Sequence, residues 1–269
     1  MGRRVTIWTE ACIQRERADT SSLYPGGMDA AIAGGFVDDG FILCTAGLDH
    51  SDHGLPPETL EVTDVLVWWG HEAHEDVSGD RVDRVQRRVL SGMGLVVLHS
   101  GHHSRIFKRL MGTSCNLAWR EQPQGETERV WVVAPSHPVA EGPPSSFDIP
   151  QSEKYGEPFD IPSPDEPVFL SWFQGGEVFR RGCAFRRGRG RIFISGRAMK
   201  RSRSISTRMS GVTLQMQSGG HDSRTRMAAF WRTGTGRIPI SWRCDLTQNE
   251  ASGTPTPQAL HEAELCGRH

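Results

Sequence analysis

The chain has 269 residues, a formal net charge of −1 and 36% hydrophobic residues, so it is long enough to bury a sizeable core. The balanced charge argues against nucleic acid or an anionic membrane as the main partner, and no apolar run approaches the roughly 20 residues of a membrane-spanning helix. The N-terminus has no apolar signal-peptide core, and the six cysteines form no Cys-x-x-Cys pair. We therefore expect a cytoplasmic protein with free thiols.

Short apolar runs alternate with helical patterns over the first part of the chain. The predicted strands are Val5–Trp8, Phe41–Thr45, Val65–Trp69 and Gly94–Leu98. The predicted helices are Met28–Phe36, Pro57–Glu61, a segment from Ser78 to Leu90, and Ser104–Met111. Strands separated by helices imply right-handed βαβ units. This order predicts a three-layer α/β fold with a mostly parallel, doubly wound sheet that is covered on both faces.

The pattern changes after about residue 128. Further strands are predicted at Val130–Val133, Val168–Trp172, Val178–Phe185 and Arg191–Ile194. They are joined by loops rich in proline and glycine, which indicates antiparallel additions to the sheet edge that wall one side of a pocket. From residue 195 arginine and serine crowd together and the periodicity is lost. We therefore divide the chain into an α/β domain at 1–194 and a divergent tail at 195–269.

Polar side chains follow three of the predicted strands at the points where those strands end. Glu10 follows the first strand, His71 and His74 follow the third, and His99 and His102 follow the fourth. Ligands of doubly wound sheets bind at the carboxyl ends of the strands, so we expect one shared site. The i, i+3 spacing can place two imidazoles together to hold a divalent metal such as zinc. Without a metal, the histidines can act as general acid and base near neutral pH.

The segment Leu98–His102 has the form of a nucleophile elbow, a tight turn from a strand to a helix. Class I glutamine amidotransferases carry a nucleophilic cysteine there, whereas this chain carries His99, so acyl transfer to a thiolate is not available. Ser100 lies one residue away from the elbow position. For Ser100 and Gly101 the simplest interpretation is tight-turn geometry.

Several segments together carry a resemblance to a known family. They are Tyr24–Met28, Asp64–His71 with His74, Gly92–His102, Leu110–Cys115, Tyr155–Pro162 and Ser171–Arg180. Through them, residues 4 to 194 resemble the ThuA-like (trehalose utilisation) family, whose fold is similar to that of class I glutamine amidotransferases and flavodoxin. The resemblance implies a role in disaccharide metabolism, with a sugar dehydrogenase of the same pathway as partner.

The chain departs from the family pattern in three places. Two histidines that are typical of the family are missing. No histidine precedes Glu10 at the start of the first loop, and aspartate, Asp29, follows Met28 where the family has histidine. These differences weaken the case for a fully ligated metal. From Ser195 the family's closing loop and helix are missing as well. Reading the codons for residues 194–205 one base earlier permits the family sequence, so we interpret 195–269 as frame-shifted. We expect this tail to be poorly ordered and the chain to be weakly active or inactive.

The residues and the resemblance together predict an enzyme that acts on a disaccharide or keto-sugar by hydrolysis, isomerisation or proton transfer. Glu10, His99 and His102 are the predicted catalytic residues, while His71 and His74 are predicted to bind a metal or the sugar oxygens. The predicted substrate-binding residues are Trp69, Tyr155, Glu157 and Trp172, although the three aromatic side chains also fit a core role. The alternative is a non-catalytic sugar-binding or accessory subunit of a sugar dehydrogenase. A homo-oligomer is compatible with this fold.

Overall fold

The structure is a computed structural model that describes residues 2–10, 24, 26–36, 40–120 and 125–196. Eleven strands lie in the described part of the chain: β1 Arg4–Thr9, β2 Ile42–Gly47, β3 Val65–Trp69, β4 Gly94–Leu98, β5 Ala118–Arg120, β6 Glu126–Val132, β7 Ser146–Ser152, β8 Lys154–Gly156, β9 Glu166–Phe173, β10 Val178–Arg187 and β11 Gly190–Ser195. The α-helices of that part are α1 Gly27–Ala33, α2 Pro57–Val62, α3 Gly79–Ser91 and α4 Arg105–Met111. Short 3₁₀ turns include His99–His103. The tail predicted at 195–269 lies outside the described residues apart from Ser195 and Gly196.

Nine of the strands form one mixed sheet in the order β2-β1-β3-β4-β11-β10-β9-β6-β7. The five strands from β2 to β11 pair in parallel. From β11 onward every neighbour in the sheet is antiparallel. The last strand of the described sequence, β11, therefore lies in the middle of the sheet and joins its parallel and antiparallel halves. Strands β5 and β8 form a separate two-stranded ribbon.

The helices follow from local sequence signals. In α3 the buried residues Val82, Val85 and Val89 recur at helical spacing and give the helix one apolar face. Gly92, at a φ of 127°, ends the helix because other residues rarely adopt that backbone conformation. In α4 the Ser104 hydroxyl accepts a hydrogen bond from the backbone N–H of Phe107, which satisfies one free donor of the first turn.

Alternate residues of the central strands face two different hydrophobic clusters. Trp68 and Leu95 pack into the larger cluster with α3 and α4. Val67, Trp69 and Val96 pack into a second cluster with α1 on the opposite face. Strand residues alternate between the faces of a sheet, so nearly continuous apolar strands are required when both faces are covered. The predicted α/β fold with a mostly parallel sheet and antiparallel edge strands is confirmed.

Candidate functional site at the strand ends

The register of the parallel strands brings three loops together at one edge of the sheet. Thr9 lies beside Trp69, and Trp69 lies beside Leu98. These are the last residues of β1, β3 and β4, so the chain leaves all three strands at the same level. The segments that begin at Glu10, Gly70 and His99 are therefore neighbours, as predicted from the sequence.

Glu10 is buried and its carboxylate binds the backbone of the loop after β3. The N–H of Glu72 donates to Oε1 at 3.0 Å and the N–H of Ala73 donates to Oε2 at 3.1 Å. Burial raises the pKa of Glu10, while hydrogen bonds from the backbone of residues 71–73 oppose that rise. Glu10 therefore fixes the position of the histidine loop and is more easily protonated than an exposed glutamate.

Ser100 connects the loops after β3 and β4. Its hydroxyl lies 2.8 Å from Nδ1 of His71 and also hydrogen-bonds the side chain of Tyr155, which is buried beside it. Nε2 of His71 lies 3.4 Å from a carboxylate oxygen of Glu72. If Tyr155 donates to Ser100 and Ser100 donates to His71, the imidazole carries its proton on Nε2 and faces the Glu72 carboxylate. The Ser100 hydroxyl therefore holds the ring of His71 in one orientation.

Two further histidines at this edge favour the neutral state. Burial is the main cause that lowers the pKa of His74 to about 4, with repulsion from His103, His71 and Lys108 adding to it. Burial also lowers the pKa of His103, and Lys108 contributes to that change. The ring centroids of His74 and His103 are 6.0 Å apart. At neutral pH these imidazoles are therefore uncharged and can accept a hydrogen bond.

His102 is buried against an aromatic wall. Its ring lies edge to face with Tyr155 at 5.9 Å and with Phe159 at 5.8 Å, measured between ring centroids. The ring centroid of His103 lies 4.0 Å from that of His102. Tyr155 belongs to β8 and Phe159 follows that strand, so the ribbon of β5 and β8 contributes to the site at the parallel strand ends.

Comparison with known proteins places the chain in a family. The family model described as ThuA, trehalose utilisation, matches residues 4–196, which is most of the chain and nearly all of its described part. The chain belongs to the ThuA family. Membership relates this protein to carbohydrate use. None of the curated proteins compared with the chain matches it.

Two solved structures to which the chain is similar are also described as ThuA-like. A ThuA-like protein from Bacteroides uniformis has a TM-score of 0.50 and 15% identity, over 72% of this chain and 81% of that chain. A ThuA-like protein from Parabacteroides merdae has a TM-score of 0.48 and 12% identity, over 73% and 79% of the two chains. At 15% identity, the likeness to the Bacteroides uniformis protein shows a common fold.

The structure brings some predicted substrate-binding residues of this ThuA-family protein to the site and not others. Tyr155 lies in the site, and the ring of Trp69 lies 6.5 Å from that of His71, although it is buried in the core. The Glu157 carboxylate binds the Arg180 guanidinium at 2.9 Å. Trp172 is 39% exposed. Its neighbour Phe173 packs in the same hydrophobic cluster as Tyr155. Successive strand residues face opposite sides of a sheet, so Trp172 lies on the other side from that cluster. Sugar contacts by these residues stay predictions.

The predicted metal site also stays a prediction. Within the described part of the chain, no group of three or more histidine, cysteine, aspartate or glutamate side chains is placed to hold a metal ion. Zinc sites in proteins use at least three protein ligands, so a site at His71 and His74 requires a ligand from outside that part. The side chain of His99 lies outside it, and only the backbone of His99 is described.

Sequence reasoning missed the contribution of Ser100. It was interpreted as turn geometry, whereas its hydroxyl joins His71 to Tyr155. The available signal was its position directly after the end of a core strand, beside a histidine-bearing loop. The pairing to Tyr155 depends on a contact about 55 positions along the chain, which no local pattern reveals.

The structure has no helix, among the residues it describes, that is long and apolar enough to cross a membrane.

Proposed function

We propose that this protein binds a disaccharide or keto-sugar at the strand-end site and catalyses proton transfer on it. The observation that carries the proposal is the convergence of Glu10, the Ser100–His71 pair and half-buried, neutral histidines at the ends of three adjacent strands. A sugar is neutral and rich in hydroxyl groups, and this site offers neutral donors and acceptors beside aromatic side chains. Family membership supports the same class of ligand.

The proposed chemistry uses imidazoles as bases and one carboxyl group as an acid. A neutral imidazole can take a proton from a carbon next to a carbonyl or from a hydroxyl group. The raised pKa of Glu10 suits a carboxyl group that returns a proton. In this proposal Glu10, His99 and His102 move protons, and Ser100 holds His71 in one orientation. Isomerisation of a keto-sugar and hydrolysis of a glycosidic bond both require such transfers.

A non-catalytic role as a sugar-binding or accessory subunit of a sugar dehydrogenase is the second candidate. The observation that favours it is the position of Glu10, whose two carboxylate oxygens both accept backbone N–H groups of the loop after β3. A carboxylate held in this way can have a purely structural role. Both candidate functions predict that the protein binds a sugar, but only the enzyme is expected to convert it.

Proton transfer next to a carbonyl can be followed directly. The protein is incubated in deuterium oxide with a keto-disaccharide and with trehalose, and NMR follows both deuterium uptake into sugar C–H positions and release of monosaccharides. We expect uptake or release that falls at least about tenfold in Glu10→Gln and in His102→Gln, with sugar binding largely kept. Binding without any turnover would favour the accessory role if a chain restored to the family sequence after residue 194 is equally inactive, and would otherwise match the weak activity expected from the divergent tail. Absence of both binding and turnover would contradict the proposed function.

A further inference from the structure

Trp119, at the centre of β5, is the most exposed large hydrophobic side chain in the described part of the chain, at 65%. Single exposed apolar side chains are common on protein surfaces, so its neighbours decide whether it has a role. The residue opposite it in the ribbon of β5 and β8 is Tyr155. Tyr155 is buried in the candidate site, where it bonds Ser100 and packs edge to face against His102. Trp119 is therefore one strand away from a wall of that site.

Trp119 and Tyr155 lie on the same face of the ribbon. Residues directly opposite each other in an antiparallel pair project to the same side, with Cβ atoms about 4.5–5.5 Å apart. The next pair, Arg120 with Lys154, shows this geometry, because both side chains bind the carboxylate of Glu177. Successive strand residues alternate between faces, so Trp119 and Tyr155 project together from the other face. The indole therefore continues the aromatic wall of the site from its buried part towards solvent.

Ion pairs on the face that bears Arg120 hold the ribbon in place. The Arg120 guanidinium lies 2.6 Å from a carboxylate oxygen of Glu126 and 3.1 Å from one of Glu177. Nζ of Lys154 lies 3.3 Å from the Glu177 carboxylate. Glu126 belongs to β6 and Glu177 lies between β9 and β10, so these pairs join the ribbon to the antiparallel half of the sheet. A side chain on a supported strand loses little conformational entropy when it binds a ligand.

The chemistry of an indole face favours a neutral, partly apolar ligand. The face of the ring carries the negative part of its quadrupole, which repels phosphate and carboxylate groups and attracts C–H groups. One face of a pyranose ring presents such C–H groups, and its contact with the indole removes apolar surface from water. The charges of the ion-pair cluster also balance, since two cations meet two carboxylates. The surroundings of Trp119 therefore suit a sugar ring.

We propose that Trp119 is the stacking platform for the second ring of a disaccharide whose first ring occupies the strand-end site. The assignment rests on the proposed function, and it narrows the ligand class to sugars of at least two rings. A single ring held beside His102 and Ser100 contacts Tyr155 and does not extend across the next strand to Trp119. Trp119 is thus a binding residue that sets specificity and takes no part in proton transfer.

Calorimetry with one-ring and two-ring sugars tests the proposal. Trehalose, a keto-disaccharide and the monosaccharides that compose them are titrated into the wild-type full chain, into Trp119→Ala and into Trp119→Phe. The matched control is Trp131→Ala, which removes a 40% exposed tryptophan from β6. We expect the disaccharide to bind about tenfold more weakly to Trp119→Ala, which corresponds to about 1.4 kcal/mol. Trp119→Phe should keep most of the affinity, and Trp131→Ala should keep all of it.

The indole signal of Trp119 in a ¹H–¹⁵N spectrum gives the second measurement. The chain has eight tryptophans, and Trp119→Phe assigns this signal by its disappearance. It should move on titration with the disaccharide and stay in place with the monosaccharides. Because the side chain is exposed, Trp119→Ala should leave the urea midpoint close to that of the wild type, which separates lost binding from lost folding.

Two kinds of result would overturn the second-ring contact and leave the proposed function standing. One is a disaccharide affinity that is equal in wild type and Trp119→Ala, or that falls equally in Trp131→Ala. The other is a Trp119 signal that is unmoved when the disaccharide saturates the protein, or that moves equally with a monosaccharide. Absence of binding of every sugar to the wild-type protein would overturn the contact and the proposed function together.

Discussion

Ser100 lies between the half-buried side chain of His71 and the buried side chain of Tyr155, and both use its hydroxyl. It bonds Nδ1 of His71 on one side and the hydroxyl of Tyr155 on the other. Ser100→Ala removes both bonds and leaves the partners unsatisfied, so we expect it to lower the free energy of unfolding by about 1–3 kcal/mol. Tyr155→Phe removes only one bond and should cost about 1 kcal/mol. Urea denaturation measures both changes.

The double variant tests whether the three side chains act as a unit. Residues that share a hydrogen-bond network show interaction energies of roughly 0.5–3 kcal/mol, so the cost of Ser100→Ala with Tyr155→Phe should be less than the sum of the single costs. Additive costs within error would show that Tyr155 and Ser100 are energetically independent. A measured interaction would support Ser100 as a residue that positions His71.

The depressed pKa of His74 makes stability depend on pH. An unfolded histidine titrates near pH 6.5, and in the folded protein the pKa of His74 falls to about 4. Between these values the unfolded chain binds more protons, so stability is complete above about pH 6.5 and is lost as the pH falls toward about 4. The groups that face His74 are His71, His103 and Lys108. The loss from His74 alone amounts to roughly 3 kcal/mol at most.

His74→Asn is the matched variant for this dependence, because it removes the titrating group and keeps a polar side chain that can donate a hydrogen bond. The raised pKa of Glu10 acts in the opposite direction, and it is shared by both proteins. Urea denaturation at a series of pH values should therefore show a smaller loss of stability in the variant between about pH 6.5 and about pH 4. Parallel curves for the two proteins would contradict the buried neutral state of His74.

Glu128 of β6 and Arg181 of β10 form a buried ion pair in the antiparallel half of the sheet. Glu128 is fully buried and pairs with Arg181, while the hydroxyls of Ser171 and Ser152 donate to its two oxygens at 2.5 and 2.8 Å. Arg181→Met leaves the buried carboxylate without its cation, and we expect a loss of about 3–5 kcal/mol in the free energy of unfolding.

Arg129 is the control for this prediction on the opposite face of β6. Its guanidinium binds Asp148 at 2.7 Å, but both side chains are exposed. Exposed ion pairs contribute little because water screens them, so Arg129→Met should leave the urea midpoint almost unchanged. Similar losses for the two variants would show that burial does not govern the strength of the Glu128–Arg181 pair.

The elements that could be predicted from sequence are those with a strong local pattern. The helix α3 follows from three valines at helical spacing, and β3 and β4 follow from uninterrupted apolar runs. Strands β5, β7 and β8 were missed. Two of them have only three residues each, and β7 contains a proline and polar residues along its length. Their pairing depends on partners distant in sequence, such as Trp119 with Tyr155.

The candidate site was predictable in its location and less so in its chemistry. Its location follows from where β1, β3 and β4 end, and the pattern of apolar runs shows those ends. The protonation states of Glu10 and His74 depend on burial, which a single sequence does not show. The aromatic wall formed by Tyr155 and Phe159 depends on how the ribbon of β5 and β8 packs against the strand ends.

At the scale of the whole molecule, the sheet is completed by its last described strand. β11 pairs in parallel with β4 and antiparallel with β10, and it connects the two halves of the sheet. A chain that ends at Arg189 lacks this strand, so β4 and β10 each lose the partner on one edge. We expect it to lose cooperative unfolding, as followed by circular dichroism in urea.

A chain that ends at Lys200 is the control, since it keeps every described strand. We expect it to unfold at the midpoint of the full chain, in line with the prediction that the tail is poorly ordered. Native-like cooperative unfolding of the chain that ends at Arg189 would contradict the central role of β11. A large loss of stability on ending at Lys200 would contradict the prediction for the tail.

Binding of a sugar at the strand-end site is the central claim, and isothermal titration calorimetry of the full chain tests it most directly. Trehalose and a keto-disaccharide are titrated into the wild-type protein, into Ser100→Ala, and into Trp131→Ala, whose exposed side chain lies on the antiparallel half. We predict saturable binding of at least one sugar, about tenfold weaker in Ser100→Ala and unchanged in Trp131→Ala. Absence of binding, or equal binding by wild type and Ser100→Ala, would contradict the account.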